Sequence, residues 1–285
     1  MAWKESWRLK VRRRFRKPFN KVFHTRRYFI SNYRGAEFLL QPSGIGTLEI
    51  SAKISEAPEL TNFMRRCDEL RPDVFIDIGA NIGLYSCILL KNACVPRAIL
   101  FEPDRKNLVH LQANLLINGL LDDVELQEVA LGSTAGQMRL IPGAIDGGFS
   151  RIVADNELPG VGYYVNVARL DDLVSFVDQT LAIKIDVEEH ECEVLAGMQL
   201  ALRRNRCIVQ IESFEARDQV ISIMAEAGCD LVLSSYPNFV FETCERASSP
   251  SVSPNDINYF DSEVPISPVA QPDDYSQPVT LTTEP

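Results

Sequence analysis

The sequence lacks the features of several protein classes. None of its apolar stretches approaches the roughly 18 to 20 residues that a helix needs to span a bilayer, so no spanning helix is predicted. Its seven cysteines are odd in number and scattered, without a C-x-x-C pair, which argues against a disulfide framework and against a zinc site. This cysteine pattern favours a reducing compartment such as the cytoplasm.

Positive charge is scarce outside the first 34 residues. That segment holds 12 of the 29 Lys and Arg residues and a single acidic residue, Glu5, although the chain has a formal charge of −10. The acidic remainder disfavours nucleic acid as a partner. Apolar, mostly aromatic side chains recur every four residues among these cations, which predicts a short amphipathic helix in residues 1–30 that contacts an anionic membrane surface. Docking on the acidic domain, a transit peptide and an RNA-contacting arm are the alternatives.

Composition divides the chain into three regions. Residues 1–34 form a basic aromatic arm, and residues 35–245 alternate between strand-like and helix-like segments. Residues 246–285 contain seven of the sixteen prolines and no Lys or Arg after Arg246. Such a Pro-rich, acidic tail is typical of a disordered or loosely docked segment.

The middle region predicts an α/β fold. The β-rich runs are residues 74–79, 98–103, 124–131, 181–187, 206–213, 230–235 and 239–243. Helical patterns cover residues 58–70, 84–93, 105–119 and 190–205, and a hairpin is predicted over residues 38–50. Strands that are apolar throughout are buried on both faces, so the alternation indicates a doubly wound, mostly parallel sheet. Ligands bind beyond the carboxyl ends of the strands in such a sheet.

The first of these strands runs into a glycine loop, from Asp77 to Gly83. Gly79 and Gly83 allow the backbone to turn sharply and to approach a ligand, and the helix that follows offers free N–H groups. Asn81 stands where a dinucleotide loop has a glycine, which disfavours pyrophosphate. A carboxylate at Asp77 repels phosphate but attracts an ammonium group, such as that of S-adenosyl-L-methionine. An ordinary tight turn that caps the helix is the alternative.

Two further positions complete the predicted cofactor site. Glu102 ends the next strand, about 25 residues after Asp77, close to the spacing at which a carboxylate binds both ribose hydroxyls. Its alternative role is to cap the following helix, which Asp104 would serve better. Ala130 begins a segment that is expected to pass the adenine.

Five segments together resemble the FkbM family of S-adenosylmethionine-dependent methyltransferases. Within about residues 34–245 they are, in order, DVFIDIGANIGLYS, AILFEPDRKNLVHLQANLLING, VELQEVALGS, VARLDDL and IKIDVEEHECEVLAGM. The resemblance implies a seven-stranded Rossmann-like sheet with a reversed last strand, and O-methylation of a hydroxyl, often on a sugar or natural product. Asp186, Glu188 and Glu191 match the family pattern IKID-V-E-G-x-E. Glu189 replaces its glycine, and a side chain there could crowd or reshape the loop.

Methyl transfer requires mainly that the acceptor be aligned and deprotonated. Asp186, Glu188 and His190 follow the fourth strand and are the predicted catalytic residues, with His190 as a base and the carboxylates orienting the hydroxyl or acting as bases themselves. An acidic first turn that merely complements a helix dipole is the alternative. Carboxylates this dense could also hold Mg²⁺, although no metal site is predicted.

Ser150 and Glu212 are the predicted substrate residues. Ser150 lies with Arg151 in the glycine-rich segment 142–153, which is expected to be a mobile lid, and Glu212 ends the fifth strand at the same rim. The leading hypothesis is therefore O-methylation of a glycan, a lipid-linked sugar or a secondary metabolite. A non-catalytic cofactor-binding or interaction module and an RNA methyltransferase are the alternatives.

Overall fold

A computed structural model describes residues 28–40, 57–143, 150–153 and 161–243. The chain divides into two units, Met1–Glu245 and Arg246–Pro285, and the second lies outside the described residues. Residues 1–27 of the basic arm and the whole tail also lie outside them, so the arm's helix over those residues and the tail's disorder stay predictions, whereas residues 29–33 of the arm form a strand.

Thirteen strands and seven α-helices are found in the described ranges. The strands are β1 (Phe29–Tyr33), β2 (Ala36–Leu40), β3 (Val74–Ile78), β4 (Ala98–Phe101), β5 (Val124–Gln127), β6 (Ala130–Leu131), β7 (Gly136–Ile141), β8 (Arg151–Val153), β9 (Tyr163–Ala168), β10 (Thr180–Ile185), β11 (Arg206–Glu212), β12 (Cys229–Ser235) and β13 (Asn238–Thr243). The helices are α1 (Ala57–Leu70), α2 (Leu84–Lys91), α3 (Arg105–Asn118), α4 (Leu170–Leu173), α5 (Glu191–Ala196), α6 (Gln199–Arg204) and α7 (Arg217–Glu226).

The central sheet has seven strands in the order β12-β13-β11-β10-β3-β4-β5. The strands β11, β10, β3, β4 and β5 run parallel, whereas β13 is antiparallel to both of its neighbours. One face packs against α2 through Ile88 and Leu89, and the other packs against α5 and α7 through Val194 and Met224. The predicted α/β fold is confirmed, as is the reversed last strand that the family resemblance implies.

The hairpin near the start differs from the prediction. Strands β1 and β2 pair antiparallel around Arg34 and Gly35, both of which have positive φ, so the hairpin lies earlier than residues 38–50. A two-residue turn with positive φ at both positions matches the twist of the flanking strands. Phe38 belongs to β2, and residues 41–50 lie outside the described ranges. The boundary predicted at residue 34 falls in this turn.

A second sheet, in the order β6-β9-β7-β8, was not predicted. The run predicted as one strand over residues 124–131 divides because β6 leaves the central sheet and pairs with β9. The predicted lid ends in a strand, since Arg151 pairs with Ile141 of β7, while residues 144–149 lie outside the described ranges. The helix predicted over residues 190–205 is two helices separated at Gly197, where a Cβ would lie 2.0 Å from the carbonyl oxygen of Gly132.

Candidate active site

The glycine loop is held by hydrogen bonds to the end of β4 and by packing against the residue that follows β10. The N–H groups of Gly79 and Ala80 donate to the carbonyl of Phe101 at the end of β4, over 2.9 and 3.1 Å. Gly79 has a φ of +79°, and a Cβ there would lie 2.0 Å from the carbonyl oxygen of Asp186. An alanine would therefore meet both backbone strain and a collision with backbone that cannot move aside. This glycine is what allows the loops after β3 and β10 to touch.

The second half of the loop leads directly into α2. Asn81 has a positive φ of 51°, and Gly83 has a φ of +82° at the start of the helix. A Cβ on Gly83 would lie 2.5 Å from Leu111 of α3. At both glycines the close approach is to atoms of the chain itself, and cofactor binding at these positions stays a prediction.

Glu102 connects the glycine loop to the loop after β4. Its carboxylate is 4% exposed and accepts hydrogen bonds from the backbone N–H of Asn81 at 2.7 Å and of Asp104 at 2.8 Å. Burial raises the pKa of Glu102 to about 7, although these two hydrogen bonds oppose the increase. Each carboxylate oxygen can accept more than one donor, so ribose binding is compatible with these contacts. The helix-capping role belongs to Asp104, which accepts from the N–H of Lys106, as expected.

Asp77 is buried beside an internal cation that the sequence reasoning missed. Its carboxylate is 3% exposed and accepts a hydrogen bond from the Ser86 hydroxyl. Burial raises the pKa of Asp77 to about 6, while the Ser86 hydrogen bond and the charge of Lys184 lower it. Lys184 lies directly opposite Asp77 in the neighbouring strand β10. The preference of Asp77 for a cation is therefore partly met within the chain itself.

The two predicted catalytic carboxylates, Asp186 and Glu188, follow β10. Asp186 is partly exposed and accepts a hydrogen bond from the Lys184 ammonium group at 3.1 Å. Glu188 is partly buried, with a positive φ of 50°. Burial raises the pKa of Glu188 to about 7, and the neighbouring negative charges of Asp186 and Glu191 add to the increase. A carboxylate that titrates near neutral pH is suited to accept a proton from a hydroxyl.

Glu189 does not crowd the loop with its side chain. Its φ is +74°, a left-handed conformation that favours glycine, which gives a physical reason for the glycine of the family pattern. The exposed carboxylate lies 3.6 Å from the guanidinium of Arg151 in β8. Glu189 in place of the pattern's glycine therefore raises the backbone energy of the loop, while its side chain lies on the outside of the loop.

Glu191 holds the turn between β10 and α5. Its carboxylate is 3% exposed, accepts from the N–H of Glu189 at 2.9 Å and accepts from the Ser213 hydroxyl at 3.3 Å. The carboxylate thus supports the loop from within, and Glu188 extends from a backbone that is fixed on both sides.

His190 faces the segment after β6. Its Nε2 atom is buried, has no hydrogen-bond partner within the described residues, and lies 3.2 Å from the position that a Cβ on Gly132 would occupy. Burial lowers the pKa of His190, so the ring is neutral at neutral pH. Gly132 follows Ala130, which is buried in β6, so His190 lies next to the segment predicted to pass the adenine.

The predicted substrate residues have partners within the chain. Ser150 donates to Asp104 at 2.7 Å and accepts from the N–H of Gly143 at 3.0 Å, so it ties the end of the predicted lid to the start of α3. Tyr163 also donates to Asp104, at 3.2 Å. Glu212, at the end of β11, lies 4.0 Å from the Lys184 ammonium group. The structure therefore brings Glu212 close to Asp186 through Lys184, whereas Ser150 belongs to a separate network.

Among the described residues, the requirements for a metal site and for a membrane-spanning helix are not met. Within these ranges, no three His, Cys, Asp or Glu side chains are arranged to hold a metal ion. No helix in the same ranges combines the length and apolar character needed to cross a membrane.

Comparison with known proteins identifies the family. The model of the methyltransferase FkbM domain matches residues 77–231, more than half of the chain. The chain belongs to the FkbM methyltransferase family. The match begins at Asp77 and includes the glycine loop, the loop after β10 and all four strands of the second sheet.

Two curated relatives and one solved structure are similar to this FkbM chain. Hexuronic acid methyltransferase AglP of Haloferax volcanii is 30% identical over 159 residues, which cover 54% of this chain and 62% of AglP. Methyltransferase sdnD of Sordaria araneosa is 28% identical over 189 residues, which cover 55% of this chain and 73% of sdnD. A methyltransferase FkbM from Methylobacillus flagellatus KT aligns with 19% identity and a TM-score of 0.44, over 60% of this chain and 43% of that one. The chain thus spans less than two thirds of AglP.

The residues of this FkbM domain fit S-adenosylmethionine. Gly79 and Gly83 have left-handed backbone that lets the loop turn tightly between β3 and α2, at the carboxyl edge of the sheet. Two buried carboxylates, Asp77 and Glu102, flank this loop. The donor set suits an ammonium group and a pair of hydroxyls better than a phosphate, because both charges are negative.

Proposed function

We propose that this chain is an S-adenosylmethionine-dependent O-methyltransferase that acts on a hydroxyl of a glycan, a lipid-linked sugar or a secondary metabolite. The observation that carries the proposal is the contact of Glu102 with the N–H of Asn81, which binds a glycine loop to a buried carboxylate at the carboxyl edge of the sheet. Family membership and the position of this loop between β3 and α2 support the same assignment.

The cofactor would be held on the glycine side of the sheet edge. Asp77 would face its ammonium group, Gly79 and Gly83 would allow close backbone approach, and Glu102 would accept from its ribose hydroxyls. Bound there, S-adenosylmethionine supplies an electrophilic methyl group on a sulfonium. Ala130 and the adjacent His190 would line the adenine.

Glu188 is the best-placed base of the three predicted catalytic residues. Its pKa of about 7 leaves a large fraction ionised at neutral pH, so its carboxylate can accept the proton of an acceptor hydroxyl. Asp186, held by Lys184, would orient that hydroxyl. The buried Nε2 of His190 is poorly placed to accept a proton from a substrate.

The acceptor class is supported by the named relatives. AglP is named a hexuronic acid methyltransferase, which favours a sugar as the acceptor for this chain as well. A secondary metabolite is the second candidate acceptor, because the family resemblance implies natural products alongside sugars. The loop after β10 retains Asp186 and Glu188, which favours turnover over a purely cofactor-binding role.

Isothermal titration with S-adenosylmethionine tests the cofactor assignment. The unmodified chain should bind, and Glu102→Gln should weaken binding at least about 10-fold, because an amide in place of the carboxylate leaves one of two buried N–H donors unpaired. Glu128→Gln is the matched control, since Glu128 is exposed and its carboxylate lies 3.4 Å from the exposed Arg105 guanidinium. Its affinity should equal that of the unmodified chain.

Transfer of a radiolabelled methyl group to fractionated glycans, lipids and small metabolites then tests the acceptor class. Label in a glycan or metabolite fraction that resists alkaline hydrolysis supports an ether product and therefore O-methylation of a hydroxyl. Absence of cofactor binding in the unmodified chain, or label confined to RNA, would overturn the proposal.

A further inference from the structure

Lys184 is a buried cation within an apolar strand. It is the fifth residue of β10, between Ile183 and Ile185, and its side chain is only 3% exposed. In the two neighbouring strands the residues directly opposite it are polar, Asp77 in β3 and Gln210 in β11. Lys184 therefore lies at the centre of a row of polar side chains that crosses three strands of the core.

The ammonium group of Lys184 lies between carboxylates from different strands. It donates to Asp186 at 3.1 Å and lies 4.0 Å from Glu212. It also lies 5.1 Å from the centre of the Tyr85 ring, over its face. The Tyr85 hydroxyl accepts a hydrogen bond from Gln210 at 2.8 Å, which holds the ring in place from the β11 side.

Burying an ammonium group costs free energy unless opposite charges surround it. Burying a carboxylate costs free energy unless positive charges or hydrogen-bond donors surround it. The charged and titratable groups that face Lys184 are Asp77 from β3, Asp186 and Glu188 from the end of β10 and its loop, Glu212 from β11 and Tyr85 from α2. Burial raises the pKa of Asp77 to about 6 and that of Glu188 to about 7, and in both cases the charge of Lys184 opposes the increase. The charge of Lys184 therefore lowers the pKa of Asp77 on the cofactor side and the pKa of Glu188 on the acceptor side.

We infer that Lys184 is a positioning residue that holds Asp77, Asp186 and Glu212 around one buried positive charge, and so links the cofactor side of the site to its acceptor side. The inference rests on the proposed function for the roles of these carboxylates. The electrostatic contact itself does not depend on any ligand.

The test compares Lys184→Met, which removes the charge, with Lys184→Arg, which retains it, by thermal unfolding without ligand between pH 5 and pH 8. Asp77 and Glu188 have raised folded-state pKa values, so their contribution to stability falls as pH rises through about 6 and 7. Without the cation both pKa values rise further, and more stability is lost at pH 8 than at pH 5. The melting temperature of Lys184→Met relative to the unmodified chain should therefore be lower at pH 8 than at pH 5 by about 3 °C or more. Lys184→Arg should retain the pH dependence of the unmodified chain.

An equal loss of melting temperature at pH 5 and pH 8 in Lys184→Met would show that Lys184 only fills space, and would overturn the inference. If Lys184→Met does not fold at pH 8, the double variant Lys184→Met/Asp186→Asn decides, because removal of both charges should restore folding. A double variant that also fails to fold would overturn the inference.

The pH dependence of methyl transfer provides a second readout. In Lys184→Met the rise of the rate with pH should move upward by about one pH unit, because the charge of Lys184 lowers the pKa of Glu188 and an opposite charge nearby shifts a carboxyl pKa by about that amount. A rate that falls equally at every pH would contradict the positioning role. If the unmodified chain binds no S-adenosylmethionine, the proposed function fails, whereas the melting comparison still decides the role of Lys184.

Discussion

The loop after β3 and the loop after β10 lie side by side at the edge of the sheet but are constructed differently. In the first loop, the left-handed positions are taken by Gly79, Gly83 and Asn81, residue types that tolerate this conformation, and neighbouring protein atoms pack closely against the glycines. In the second, Glu188 and Glu189 take left-handed positions despite their side chains. The first loop thus turns tightly with little backbone strain, and the second carries several carboxylates to the rim at a cost in backbone energy.

In the proposed function, cofactor binding belongs to the loop after β3 and proton transfer belongs to the loop after β10. The buried carboxylates Asp77 and Glu102 have their hydrogen bonds supplied by Ser86 and by backbone N–H groups, so they are fixed in position. Glu188 is only partly buried, and its pKa of about 7 makes it responsive to pH. We therefore expect substitutions in the first loop to affect cofactor affinity and folding, and substitutions in the second to affect turnover.

Glu188→Gln should have the largest effect on turnover. The amide cannot accept a proton, so kcat should fall by about 100-fold or more, the usual contribution of a general base. In the unmodified chain the rate should rise as pH increases through about 7, because Glu188 acts only when ionised, and this rise should disappear in the variant. Cofactor affinity should be unchanged.

Glu193→Gln is the control for this measurement, since Glu193 is exposed in the first turn of α5. It should retain the kcat and the pH profile of the unmodified chain. Persistence of the rise near pH 7 in Glu188→Gln would assign the base to another group.

Gly79→Ala should destabilise the fold by about 3 kcal/mol or more, since it combines a left-handed backbone with a collision at the Asp186 carbonyl. Gly119→Ala is a matched control. Gly119 has a φ of +67° at the end of α3 and no atom within 4 Å of its added Cβ, so only the backbone cost of about 1 kcal/mol should appear. Urea denaturation measures both. Equal losses would show that the two loops do not pack as closely as described.

Glu189→Gly should have the smallest effect, a stabilisation of about 1 kcal/mol or less, because glycine relieves the left-handed strain but makes the unfolded chain more flexible. Glu189→Ala retains the strain and removes only the exposed pair with Arg151, so its free energy of unfolding should change by less than about 0.5 kcal/mol. Urea denaturation of both variants measures the difference. A glycine variant less stable than the alanine variant would contradict the assignment of strain to this position.

The residues that could be predicted from the sequence are those whose roles depend on local pattern. The strand before Asp77, the glycine loop and the helix after Asp104 follow from apolar runs, glycine positions and capping residues. The break after β5 could not be predicted, because residues 124–131 contain no glycine or proline that would mark the end of a strand. Only the pairing of β6 with β9, some 37 residues away, decides it.

In the candidate site, too, local sequence pattern does not show which contacts form between distant segments. Ser150 was predicted to contact substrate because it lies in a glycine-rich segment, but its hydroxyl is bound to Asp104, a contact between distant segments that no local pattern indicates. Lys184 is the lysine of the family pattern IKID-V-E-G-x-E, but no role was predicted for it, because a cation inside an apolar strand does not indicate which carboxylates surround it in the folded chain. The opposed position of Asp77 in the next strand is the signal that gives it a role.

The sequence by itself therefore determined the α/β class, the family and the position of the glycine loop that is proposed to bind the cofactor, because these depend on residue types at fixed spacing along the chain. The tertiary structure decided how the charges near that loop are balanced. Lys184 reaches Asp186 and Glu212 only because β10 lies between β3 and β11 in the sheet. Electrostatic energy depends on distance in space and on burial, and a folded sheet determines both.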